Sequence, residues 1–176
     1  FRAVDAPLTR EQMDEVRELS TRARITPTDF VNEYHFGSFH GDPLDMVRRY
    51  YDLHVYFANW GTRRWMFRVP ISTIDVERVE SYAAGEIVDM RPSGSPYLID
   101  IHLSPDDGGE YMDEDQDVES WMADLSQLRQ DVMEGDLRLL YLGWLLAVQL
   151  EQVEGEDMGP PVPAGLKGLS GPLKTF

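Results

Sequence analysis

The chain predicts an α+β fold, with about five helices around a central buried C-terminal helix and a small antiparallel sheet of about three strands. Three observations carry that prediction. Leu137 to Leu150, LRLLYLGWLLAVQL, is the most apolar stretch, and from Leu139 to Val148 it holds no charged side chain. A helix hydrophobic on nearly every side is stable only where other elements cover it, so this segment is expected innermost. Arg63 to Val69 and Tyr97 to Leu103 alternate with the period of two that marks strands. Spacings of three and four, the signature of helices, recur in the segments around them.

In chain order, Thr9-Arg10-Glu11-Gln12 matches a capping box, and Met13, Val16 and Leu19 mark one face of a first helix running to about Thr21. Thr26-Pro27-Thr28 interrupts, and Asp29 to Tyr34 reads as a further helical turn or a short extended piece. His35 to Pro43 is a loop by its glycines and proline. Asp42-Pro43 then supplies a cap and a first-turn proline for a helix expected from Pro43 to about Asn59, with Leu44, Val47, Tyr51, His54, Val55 and Ala58 at helical spacing. Trp60-Gly61-Thr62 breaks it. In the strand that follows, Arg64, Met66 and Arg68 lie on one face, and Trp65, Phe67 and Val69 on the other. Thr73 or Asp75 caps a short helix through Tyr82. Glu86 to Arg91 and Tyr97 to Leu103 are strands joined by turn residues, Pro92 to Pro96. Asp117 to Met133 resumes helical spacing, and Gly135 separates it from the last helix, with which it is expected to form an antiparallel hairpin.

Length and composition bound the rest. At 176 residues, with 42% hydrophobic side chains, the chain reads as a single α+β domain over residues 1–154. Residues 155–176 are a Pro/Gly-rich docked tail or the start of a missing region. Phe1 in place of a methionine, and an apolar pattern still running at Phe176, point to a piece of something longer. No cysteine is present, which removes disulfides, thiolate metal sites and cysteine nucleophiles. No signal peptide or spanning segment is legible, so a cytoplasmic protein with no membrane contact is expected.

The formal net charge is −16, from 32 acidic and 16 basic residues. It is unevenly placed. Asp100 to Asp157 holds 17 acidic side chains against Arg129 and Arg138, a balance of −15, whereas Pro43 to Pro70 has a balance of +3. An acidic exterior of that size repels phosphate and favours basic protein partners or cations, so direct nucleic-acid binding is not expected.

Chemistry could reside in three places. Glu33, His35, His40 and Asp42, with His54 further on, supply imidazole and carboxylate groups suited to a divalent metal ion, and a metal-dependent hydrolase is the enzymatic alternative. Their spacing matches no metal motif with a known mechanism, and the plainer reading makes Asp42 a helix cap. Asp113, Asp115 and Asp117 have the one, three, five spacing of a calcium loop but lack its glycine and its final glutamate. Arg63, Arg64 and Arg68 beside Trp60 and Trp65 have the composition of an anion platform or a subunit contact. No phosphate loop, dinucleotide fingerprint or serine elbow is present. A non-catalytic protein-interaction or self-association module without a cofactor is therefore the primary reading. A nucleic-acid mimic built on Asp106 to Glu119 stands beside it as a further alternative.

The strings ANWGTRRWMFRVP (Ala58 to Pro70) and GDLRLLYLGWLLAVQ (Gly135 to Gln149), followed by VPAGLKGLS (Val162 to Ser170), resemble a group of bacterial hypothetical proteins. The resemblance implies a bacterial, cytoplasmic origin and a chain that continues past Phe176. It carries over no activity.

Overall fold

A computed structural model describes residues 1–34, 39–91, 96–104, 117–153 and 159–175. The class is α+β, but its layout differs from the sequence expectation. Among the described residues there are six α-helices and two antiparallel sheets, of two and four strands, in place of five helices and one three-stranded sheet. In chain order these are α1 (Arg10–Leu19), β1 (Arg24–Ile25), β2 (Phe30–Val31), α2 (Pro43–Arg49), β3 (Leu53–Phe57), β4 (Arg63–Val69), α3 (Val76–Glu80), β5 (Val88–Arg91), β6 (Tyr97–Leu103), α4 (Val118–Met133), α5 (Arg138–Gln149) and α6 (Gly171–Thr175). β1 and β2 form the small ribbon; the large sheet runs β3-β4-β6-β5.

The strand of the large sheet missing from the sequence reading is β3, and the ribbon of β1 and β2 was not read as a sheet. Helix α2 stops at Arg49, and the second half of the expected helix is extended. His54, Val55, Tyr56 and Phe57 are β-branched, aromatic or both-faced side chains that suit a pleated surface better than a helix. Their spacing satisfies period two as well as 3.6, which is why periodicity misled. Pairing decides the matter: Leu53, Val55 and Phe57 lie opposite Phe67, Trp65 and Arg63 of β4. The other edge of β4 pairs with β6, with Trp65 opposite Ile101 and Phe67 opposite Ile99.

That pairing also moves the centre of the molecule. The innermost layer is β4 and β6, where Trp65 to Phe67 and Tyr97 to Ile101 have little or no exposure. Helix α5 is a cover, not a hub. It buries Leu139, Leu140, Gly143 and Ala147, while Leu145 and Val148 on its outer face are 40% and 41% exposed. A four-stranded sheet offers two faces to cover, so the apolar helix lies flat on one of them and leaves its other side outside. Gly143 sets how close it comes, since a Cβ there would stand 2.8 Å from Val88 Cγ2.

One sheet face packs Trp65, Phe67, Val69, Tyr97, Ile99 and Ile101 against Met122, Leu125, Leu128 and Val132 of α4 and Leu139 and Leu140 of α5. Helix α4 lies over β3 and β4, and α5 over β5. The opposite face packs Met66 and Leu98 against Val16 of α1, Met46 and Val47 of α2 and Phe30 of β2. Side-chain caps fix the N-termini of α1 to α4. Thr9 Oγ1 accepts from Gln12 N–H and Gln12 Oε1 accepts from Thr9 N–H, closing the box on α1. Asp42, Asp75 and Asp117 cap α2, α3 and α4.

Both rims of the large sheet carry short backbone closures. Arg2 and Leu53 exchange N–H···O bonds of 2.9 and 3.0 Å at the β3 rim. Ala84 and Val88 do the same at 3.0 and 3.1 Å on the β5 rim. Residues 159–175 run across the body as a strap. Tyr82 Oη donates to the Pro161 carbonyl at 2.7 Å, and Arg138 Nη1 donates to the carbonyls of Gly165 and Gly168. Leu173 of α6 enters the main core at 3% exposure. No helix among the described residues is long and apolar enough to cross a membrane.

Candidate interaction surface

The arginines of β4 are positioned by strand alternation. Trp65, Phe67 and Val69 turn into the main core, which sends Arg64 and Arg68 to the other sheet face. Each meets a buried carboxylate there. Arg64 Nε and Nη2 donate to Asp100 at 2.9 and 2.6 Å, a fork-to-fork pair, with Asp100 3% exposed. This bond to Asp100 raises the Arg64 pKa above its ordinary value. Arg68 Nε donates to Asp52 at 2.6 Å, and Asp52 also accepts from the backbone N–H groups of Val4 and Asp5 at 2.6 and 2.9 Å. Burial pushes the Asp52 carboxyl up, but the hydrogen bonds from Asp5, Arg68 and Val4 outweigh it and hold the group below its ordinary value.

The five residues grouped in the sequence as an arginine and tryptophan platform therefore separate. Trp65 is a core side chain at 4% exposure. Trp60 stands 56% exposed at the tip of the β3–β4 hairpin, its indole N–H held by Thr62 Oγ1 at 2.9 Å. Arg63 shares the face of Trp65, and Arg64 and Arg68 are engaged within the chain.

The metal residues are described only in part. His35 lies outside the described residues, His40 and Glu33 are exposed, and Asp42 accepts from Leu44 N–H as the cap of α2. His54 is buried at 5% exposure against the Phe1 ring, with centroids 4.2 Å apart. Its Nδ1 has no hydrogen-bond partner among the described residues. Burial first, then nearby positive charge including Arg64, pushes its pKa well below the usual histidine value. Among the described residues no three histidine or carboxylate side chains converge as a metal site. Of the acidic loop, Asp106 to Gln116, including Asp113 and Asp115, lies outside the described residues; Asp117 accepts from Ser120 N–H as the α4 cap.

A feature that the sequence reading passed over lies on α1. Glu11, Asp14, Glu15 and Glu18 recur at i, i+3, i+4 and i+7, so all four share one helix face, and all four are exposed. Like charges at this spacing each cost a few tenths of a kcal/mol of helix stability. The signal is the acidic spacing itself, which shares α1 with the apolar face of Met13, Val16 and Leu19. This face borders a groove of about 260 Å³ lined by Glu15, Glu18, Asp42, Asp45, Arg49 and Tyr50, with Leu19 and Met46 at its floor. Arg49 bridges Glu15 and Asp45 at 3.2 and 3.3 Å and lies 4.7 Å from the Tyr50 ring centroid. Tyr50 Oη donates to Glu15, and burial together with that bond pushes the phenol up to about 12.

No protein family, curated protein or solved structure matches this chain.

Proposed function

We propose that the chain is a cytoplasmic, non-catalytic protein-interaction module whose acidic exterior binds a basic protein partner. The observation that carries this reading is where the positive charge goes. Arg2, Arg64, Arg68, Arg91, Arg129 and Arg138 are each held by a carboxylate of the same chain. Two of those carboxylates, Asp52 and Asp100, are buried and the others are partly exposed, so these pairs cancel inside or at the surface. The surplus behind the net charge of −16 is thereby left to exposed groups such as Glu11, Asp14 and Glu18. Such a field speeds encounter with basic partners and opposes phosphate.

The test is titration of the chain against poly-lysine and a panel of basic proteins, from about 50 to 300 mM salt. Binding at low salt that weakens steeply as salt rises is the expected result. A chain that ignores every cationic partner at low salt refutes the reading.

A further inference from the structure

Residues 159–175 carry no acidic side chain. Every Asp and Glu of the chain precedes residue 159, and its only lysines, Lys167 and Lys174, both lie in the strap. The strap is thus a basic segment laid on an acidic body, with both lysines exposed. It is anchored by two leucines four residues apart. Leu173 is buried beside Trp65, Leu125 and Leu128, and Leu169 packs on the same core. Helix α6 rests on α4.

The seating is imperfect in two independent ways. A cavity of about 10 Å³ remains where Pro172 meets Trp65, Trp121, Asp124, Leu125 and Leu128. It is close to the space of one water probe, so strap and α4 do not meet fully there. Ser170 Oγ is buried without a hydrogen-bond partner among the described residues, a cost the docked strap carries and the free strap does not.

We infer that the strap is a tethered stand-in for the partner. The surface it covers on α4, around Trp121, Asp124, Leu125 and Leu128, takes a lysine-bearing amphipathic segment with two apolar anchors four residues apart, and such a segment displaces the strap. This inference rests on the acidic-module reading above and names the kind of partner it admits. Charge complementarity between the segment and the acidic body supports the match, and the strap itself is the template for the fit. Because the strap is tethered, its effective concentration at the groove is high, so an outside segment competes only weakly until the strap is loosened.

The probe is a fluorescent synthetic peptide of residues 159–175, titrated by anisotropy against the full chain, wild type and Leu173→Ala. Truncating the buried anchor loosens the strap, so the variant is expected to bind the peptide about tenfold or more tighter than wild type, less so at high salt. Equal affinity for the two chains overturns the inference. Should Leu173→Ala fail to fold, Leu169→Ala, which trims the partly buried second anchor of the strap and leaves the body unchanged, is used with the same expected direction and the same refuting result. If the loosened chain gains peptide affinity while wild type ignores poly-lysine, the groove stands and the charge-driven reading falls. If poly-lysine binds both chains and the peptide shows no preference, the strap inference alone falls.

Discussion

Replacing Asp52 with asparagine removes a carboxylate that ties three separate stretches together. In the folded chain Asp52 has no exposure and accepts from Val4 N–H, Asp5 N–H and Arg68 Nε at 2.6, 2.9 and 2.6 Å. Asparagine keeps one acceptor oxygen and turns an amide NH₂ toward donors, so Arg68 loses its counter-charge and at least one N–H loses its acceptor. Breaking a buried pair by removing one partner costs about 3–5 kcal/mol. With a urea m-value of about 2 kcal/mol/M, the midpoint should fall by about 1.5–2.5 M without a change in slope. Asp45→Asn, whose partner Arg49 is exposed, serves as control and should leave the midpoint unchanged within scatter. The pH dependence supplies a second check. The folded pKa of Asp52 lies below its ordinary 3.8, so the stabilisation is present above that value and lost as pH falls through the lower, folded one. The gap between wild type and variant should therefore close in acid. A midpoint shift under about 0.5 M, or a gap independent of pH, would refute the account of Asp52 as a buried ionic tie.

Two further outcomes follow from the packing. Gly143→Ala places a Cβ 2.8 Å from Val88 Cγ2, and overpacking of about 1–3 kcal/mol should outweigh the roughly 1 kcal/mol gained in helix propensity. In a Val88→Ala background the same substitution should become neutral or stabilising, and an equal loss in both backgrounds would show that the close approach is not the cause. His54 is neutral in the fold because its pKa is depressed, whereas the unfolded chain takes up its proton below about 6.5. Stability is thus complete above that pH and falls below it, by up to about 1.4 kcal/mol per pH unit from this residue. His54→Phe should flatten the dependence of the urea midpoint between pH 7 and pH 5, and an unchanged slope would sink the assignment.

How much of this was legible depended on whether the pattern allowed one period or two. Strands β4 and β6 could be read to the residue, because alternation of aromatic or branched side chains with polar ones has no helical equivalent over seven positions. The caps at Thr9 and Asp42 were equally visible, since capping chemistry is local, while at α3 the sequence left Thr73 and Asp75 open and the fold uses Asp75. Strand β3 was not, because Leu53 to Phe57 fits both periods and only pairing with β4 separates them. The error about α5 has the same origin: an apolar segment announces burial, but not whether a sheet already occupies the middle. For the surface, Arg64, Arg68 and Trp60 were named from the sequence, but their partners were not. Asp100 and Asp52 lie 36 and 16 residues away, and only strand register brings them under the guanidinium groups. Asp42 was readable both as a helix cap and as a candidate ligand, and the cap is the contact that the fold displays.

The single backbone exchanges at Arg2–Leu53 and Ala84–Val88 bear on how this protein behaves at high concentration. An open strand border is a template on which another molecule can extend a ladder. Here each border is met by a residue of the same chain at one position and then left, so a neighbouring strand finds its first bonds already taken. The start of each outer strand is thereby closed to a neighbour, and an added ladder would have to begin further along β3 or β5.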